Sequence, residues 1–195
     1  MESTEEEANI MIRQRGSLKN ISNPHIVFQP KTRVEGGTYE GQYNTITKQK
    51  HGKGIFCWDD KEKYIGEWVN GKPEGEGVFY FNDGTKYQGQ WKDGKKHGKG
   101  VFTWKKGKTY MGDFNENRST GFGKKTWPDG KIYKGEFLDG KEHGKGTLYW
   151  PDGEKYIGNW FKGKMHGNLI LVKANGKRKM KRFEHDKEIK NSGKD

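Results

Sequence analysis

Tyr87-Gln88-Gly89-Gln90-Trp91, followed after a short loop by His97-Gly98-Lys99-Gly100-Val101-Phe102-Thr103-Trp104, decides the fold of this chain. The first half returns at Tyr39-Gly41-Tyr43, Tyr64-Gly66-Trp68, Tyr110-Gly112-Phe114, Tyr133-Gly135-Phe137 and Tyr156-Gly158-Trp160, with tyrosine spacings of 25 and then 23 residues four times. Six tandem copies mean a repeat architecture, in which each unit buries its apolar face only against its neighbours. Eight residues separate Tyr43 from His51, against six between Trp91 and His97, so the long first spacing is one loop lengthened by two residues.

Both halves of the unit have period 2. Tyr87, Gly89 and Trp91 share one face, and so do Gly98, Gly100, Phe102 and Trp104 on the return. A helical period of 3.6 does not fit these positions. Turn signals such as Asp83-Gly84, Asp129-Gly130 and Asp152-Gly153 close the units, and connections this short join only antiparallel strands. Glycine weakens a strand unless a backbone or ring must come close. Each glycine stands two residues from a ring on its own face, so the aromatics are expected to lie across glycine gaps on neighbouring strands.

The pattern Tyr-x-Gly-x-Trp-x-x-Gly-Lys-x-His-Gly-x-Gly-x-Phe-x-Trp-x-Asp-Gly resembles the MORN (membrane occupation and recognition nexus) repeat over about residues 36 to 183. The expected fold is all-β, an elongated single-layer antiparallel meander of six hairpin repeats. A leader with a short helix and linker occupies 1–34, the array 35–168, and a degenerate capping hairpin with a basic tail 169–195. A leucine-rich repeat has a similar period but needs Leu where this chain has Gly and rings.

The departures are informative. Glu74 and Thr120 stand where His51, His97, His143 and His166 stand, Lys125 replaces a ring, and Lys61 replaces the first turn glycine. In the sixth unit Leu169, Leu171 and Lys173 replace Gly, Phe and Trp, and one period beyond Tyr156 only Phe183 keeps its ring. Leu169–Val172, the Asn175-Gly176 turn and Arg178–Phe183 read as the capping hairpin that an array needs at its exposed edge.

The chain has 195 residues, 29% hydrophobic and 33% charged, and its apolar mass is largely 7 Trp, 9 Tyr and 10 Phe, so a thick two-layer core is out of reach. No run approaches the roughly 18 apolar residues of a membrane span, and Glu2, Glu5, Glu6 and Glu7 replace the basic start of a signal peptide, which predicts a cytoplasmic protein. The lone Cys57 suits a reducing compartment and reads as strand packing. Thr4 with Glu7 resembles a capping box for a helix over Glu5–Arg15, and Pro24 and Pro30 mark a linker.

Several chemistries find no footing. The four histidines lie in equivalent positions on units displaced by roughly 9 to 10 Å, too far to share a metal whose ligands sit about 2 Å away. No helix follows Gly98-Lys99-Gly100, so it is no phosphate loop. Glu67, Asp113 and Glu136 fall opposite the rings and read as solvated charges. Other MORN proteins carry lipid kinase or lysine methyltransferase domains, for which the array leaves no room. No enzyme, cofactor or metal is expected.

Two binding surfaces stand out. One is the ring face, either closed on itself or open as a trough for a partner segment, with Tyr64, Gly66, Trp68, Tyr87, Gly89, Trp91, Phe102, Trp104, Tyr110, Phe114, Trp127, Tyr133, Phe137, Trp150, Tyr156 and Trp160. The other is a basic loop edge of Lys95, Lys96, Lys99, Lys141, Lys145, Lys162 and Lys164, within a net charge of +12. That edge suits acidic lipid, phosphoinositides or an acidic protein, or else guards the sheet edge against aggregation. Ile55, Val78, Tyr80, Val101, Thr103, Tyr149, Ile170 and Val172 fall on the reverse face. Rings committed to glycine packing argue against nucleic acid. Resemblance to stand-alone MORN proteins implies a non-catalytic scaffold in a ciliary axoneme, like a radial spoke head, or in another cytoskeletal assembly. Self-association through terminal edge strands is compatible with either surface.

Overall fold

A computed structural model describes residues 23–189. Fifteen strands among the described residues follow one another in chain order as an open antiparallel meander. The chain forms two compact units, divided between Gly98 and Lys99. The helix expected over Glu5–Arg15 lies outside the described residues.

The first unit holds β1 (Ile26–Val34), β2 (Gly37–Asn44), β3 (Gln49–Trp58), β4 (Lys63–Val69), β5 (Lys72–Tyr80), β6 (Lys86–Lys92) and the start of β7 (Lys95–Thr103). β1 corrects the expectation of a linker. It pairs with β2 from Ile26↔Asn44 to Val34↔Gly37, with an irregularity between Gln29 and Thr32. Pro30 falls inside that irregularity, where the ladder does not need its missing N–H.

Two turn types alternate. Asn70-Gly71 and Asp93-Gly94 have positive φ at both central residues, as two-residue hairpins require. The opposite connections use a carboxylate: Asp83 Oδ1 accepts the Thr85 N–H at 2.8 Å, and Gly84 takes φ 85°. Lys61 occupies the equivalent position with φ 74°. Adjacent hairpins are also tied sideways, because the turn glycine N–H donates to the preceding hairpin: Gly71 to Lys50 O and Gly94 to Pro73 O, both at 2.9 Å.

Within a hairpin the glycines face one another and the ladder then slips. β4 and β5 pair Tyr64↔Phe79 and Gly66↔Gly77, shift register, and resume at Glu67↔Glu74 and Trp68↔Pro73. The slip is a bulge at the glycine after the histidine position, where Gly52, Gly75 and Gly98 have φ between 57° and 61°. On the reverse face Ile55 and Ile65 are directly paired and buried, with Cys57 and Tyr80 packed beside them.

The second unit holds the rest of β7, then β8 (Thr109–Asn115), β9 (Arg118–Thr126), β10 (Ile132–Leu138), β11 (Lys141–Tyr149), β12 (Lys155–Phe161), β13 (Lys164–Val172), β14 (Arg178–Glu184) and β15 (Lys187–Ile189). The expected capping hairpin is present as β13 and β14. Leu169 pairs with Gly158 and is fully buried in the slot where other hairpins place a glycine. β15 adds a short strand to this edge. At Lys125, where a ring is missing, the ammonium pairs with Glu142 at 2.7 Å, and both side chains are largely buried.

Candidate functional site

The ring face is closed by its own rings. In the first unit Tyr64 meets Trp68 edge-on at 4.9 Å between centroids and Trp91 of the next repeat at 5.3 Å. In the second, Tyr133 meets Phe137 at 5.3 Å and Trp160 at 4.9 Å. Tyr64, Tyr110 and Tyr133 thus pack on the ring four residues ahead and on the ring 27 ahead, and Tyr156 keeps the longer spacing with Phe183. Tyr39 reaches Trp68, 29 ahead, because of its longer loop.

The trough expected at Tyr64, Trp68, Tyr87, Trp91, Tyr110, Phe114, Tyr133, Phe137 and Trp160 is therefore core. None of the nine exceeds 7% exposure. Gly66 lies against the Tyr64 ring, and Gly89 is paired opposite Gly77. Tyrosine hydroxyls are used as well: Tyr64 donates to Glu67 O at 3.0 Å and Tyr87 to Gln90 O at 2.9 Å. Burial pushes the phenols of Tyr39, Tyr64, Tyr87, Tyr110 and Tyr133 well above the ordinary range. The indole N–H of Trp68 donates to Gly54 O at 3.2 Å and that of Trp91 to Gly77 O at 3.3 Å.

The outer rings, Phe102, Trp104, Trp127, Trp150 and Tyr156, are less covered. Lysines lie over several of them. Lys108 Nζ stands 4.1 Å from the Trp104 ring centre and Lys131 Nζ 5.0 Å from that of Trp150.

The basic edge is split among different tasks. Lys96 turns inward, with Nζ within 5.6 Å of the Phe81 ring centre and 5.8 Å of that of Tyr87, and burial lowers its pKa. Lys99 pairs with Asp113 at 2.5 Å. Lys162 lies 5.2 Å from the centre of the Phe161 ring. Lys95, Lys141 and Lys164 are exposed at their turns, and Lys145 is exposed on the reverse face.

That reverse face holds the open surface of the second unit. A groove of about 840 Å³ crosses β9 to β14, floored by Gly123, Gly135, Gly146 and Gly158. One flank is a continuous cross-strand ladder: Lys124↔Lys134, Lys134↔Thr147, Thr147↔Ile157, Ile157↔Ile170 and Ile170↔Met180. Phe122 and Lys145 stand on the other flank. Phe122, Met180 and Ile157 are 68%, 64% and 38% exposed. In the first unit the matching row closes on itself through Ile55 and Ile65, whereas here the paired positions carry lysine, threonine and spaced aliphatics. Its signal in the sequence was the position that reads Ile65, Gln88, Met111, Lys134, Ile157 and Met180 in successive repeats.

Position x between the first glycine and the ring that follows it has a structural task that the sequence reading missed. Glu136 is not simply solvated: its Oε1 accepts the Lys145 N–H at 3.0 Å, and a Cβ at Gly144 would collide with its carboxylate. Gln42 does the same for Lys53 N–H at 2.8 Å. The histidine position contributes its backbone. Tyr87, Tyr110 and Tyr133 hydroxyls reach the carbonyls of His97, Thr120 and His143 at 3.5, 3.3 and 3.4 Å, which explains why threonine serves there. Among the described residues no group of three or more His, Cys, Asp or Glu side chains could hold a metal ion.

A family model for the MORN repeat matches residues 48–63, 64–86, 87–109, 110–132, 133–155 and 156–178. The chain belongs to the MORN repeat family. Its groove spans the last three matched MORN repeats and Met180 just beyond them. No curated relative matches its sequence. Solved structures similar to this MORN sheet include the TCP domain of Drosophila melanogaster SAS-4 (dCPAP) in complex with a proline-rich motif of Ana2 (dSTIL). That match has 14% identity and a TM-score of 0.44, over 81% of this chain and 97% of that one. The TCP10c domain of Drosophila melanogaster Sas-4 gives 14% identity and 0.43, over 82% and 95%. The TCP10 domain of Danio rerio CPAP with a STIL peptide gives 12% and 0.31, over 67% and 64%. What those domains bind is a property of those domains.

Proposed function

We propose that this MORN protein is a non-catalytic scaffold that holds a segment of a partner protein along the reverse-face groove of its second unit. One contrast carries the reading: the ring face is consumed by internal packing, while the reverse face leaves Phe122, Ile157 and Met180 open beside a glycine floor. Grooves of this kind commonly receive a helix or an extended peptide. The finer reading puts the complex in the cytoplasm, in a ciliary axoneme of radial-spoke type or another cytoskeletal assembly, and rests on resemblance to stand-alone arrays of this size. Lipid binding through the loop edge has less support, since Lys96 is turned onto rings and Lys99 is paired. No helix among the described residues is long and apolar enough to cross a membrane.

The test is a photoreactive residue at Ile157 or, separately, at Lys141, in chain expressed in source cells that are then divided into soluble, membrane and detergent-resistant cytoskeletal pools. Adducts to one protein from position 157, recovered with microtubule or axonemal proteins, are expected. Adducts only to lipid, or only from position 141, would move the site to the loop edge.

A further inference from the structure

We infer that the segment held in the groove is polarised, with carboxylates at one end over Lys124, Lys134 and Lys145 and aliphatic side chains at the other over Ile157, Ile170 and Met180. The inference deepens the scaffold reading and rests on it. Its first support is a lysine cluster without ion pairs among the described residues, in which Lys134 Nζ lies 5.5 Å from the Tyr149 ring centre. Lys124 and Lys134 are directly opposed across β9 and β10, a like-charge pairing that costs stability. Neither they nor Lys145 forms an ion pair among the described residues. Of the carboxylates around it, Asp113 pairs with Lys99 and Glu142 with Lys125, while Glu136 keeps its charge and accepts the backbone N–H of Lys145.

The second support is order along the ladder. Reading from β9 to β14, it passes from lysine through Thr147 to Ile157, Ile170 and Met180, so charge and apolar surface occupy opposite ends. Five strand spacings make roughly 24 Å. About seven extended residues or about 16 helical residues cover that distance. A nucleic acid would leave the aliphatic end without a partner. A flat membrane would meet the loops before these mid-strand lysines.

The test uses the full chain and a dye-labelled eight-residue peptide of four glutamates followed by four leucines. Controls are four lysines with four leucines, four glutamates with four serines, and phosphatidylserine vesicles. Anisotropy should show the glutamate–leucine peptide binding best. Its Kd should rise about tenfold or more in K124E/K134E/K145E and in Ile157→Glu/Met180→Glu, and stay within about twofold in Lys141→Glu/Lys164→Glu. The neutral set K124Q/K134Q/K145Q should give a smaller loss, and near-UV circular dichroism checks that each variant is folded.

Equal binding of the lysine–leucine peptide, or no loss in the lysine variants, would overturn the acidic end while leaving a protein groove in place. No peptide binding together with no protein adduct from position 157 would overturn both. Vesicle binding that depends on the three lysines, without peptide binding, would overturn both in favour of a lipid surface.

Discussion

The repeating contact at the residue scale is one tyrosine ring laid over two glycines. A Cβ at Gly77 would stand 2.6 Å from Cε2 of Tyr64, and one at Gly54 or Gly123 would stand equally close to Tyr39 or Tyr110. Gly-to-Ala changes in strands usually help slightly, because glycine has the most chain entropy to lose. Here the ring is pinned by its hydroxyl bond and two neighbouring rings, so Gly77→Ala is expected to cost about 2 to 3 kcal/mol in denaturant unfolding. A loss below about 0.5 kcal/mol would show that the ring yields. The same burial governs alkaline behaviour. Phenols raised above the ordinary 10.0 keep their protons in the folded chain where the unfolded chain has lost them. Their stabilisation is complete below about pH 10 and falls as pH rises beyond it. In a phenolate absorbance titration, five of the nine tyrosines should stay silent near pH 10 and appear only with unfolding. Ordinary titration of all nine would contradict the packing.

The hairpin is the element that repeats, and its exceptions show what it needs. Where β9 lacks a ring, Lys125 and Glu142 form a largely buried pair, 14% and 8% exposed. Glu142→Ala would strand the ammonium in an apolar setting and should cost about 3 kcal/mol. Lys125→Phe with Glu142→Lys would restore the residue types that stand two repeats earlier at Phe79 and Lys96, where the ammonium lies 5.6 Å from the ring centre of neighbouring Phe81. That double variant should unfold within about 1 kcal/mol of the parent, well short of the single variant's loss. A double variant as weak as Glu142→Ala would mean that the slot is shaped for the ion pair. The hairpins were legible because a period of 2, a glycine gap and a turn residue all point the same way. β1 was not, because Pro24 and Pro30 read as a linker and only the irregularity around Pro30 lets the strand pair. The groove was not legible either: it depends on which side of the sheet stays uncovered, and Phe122, Ile157 and Met180 occupy positions whose residue type changes from repeat to repeat.

At the scale of the molecule, one period fixes every face at once, and that makes length a sharper constraint than composition. Removing residues 64–86 joins Lys63 to Tyr87 and deletes one whole repeat. Gly89 then faces Gly54 in place of Gly66, and Trp91 takes the position of Trp68 beside Tyr39. Stability in arrays is a sum of units and their neighbours, so this shortened chain should fold, keep its near-UV aromatic spectrum, and lose denaturant m in proportion to the surface removed. Removing residues 64–85 leaves one residue more and has the opposite effect. A slip of one places every downstream ring on the reverse face of the strand it must pair with. That chain should lose its near-UV signal and its cooperative transition, although the two deletions differ only by Lys86. If both fold equally well, the sheet tolerates register error, and the 23-residue spacing is not what holds the rings over the glycines.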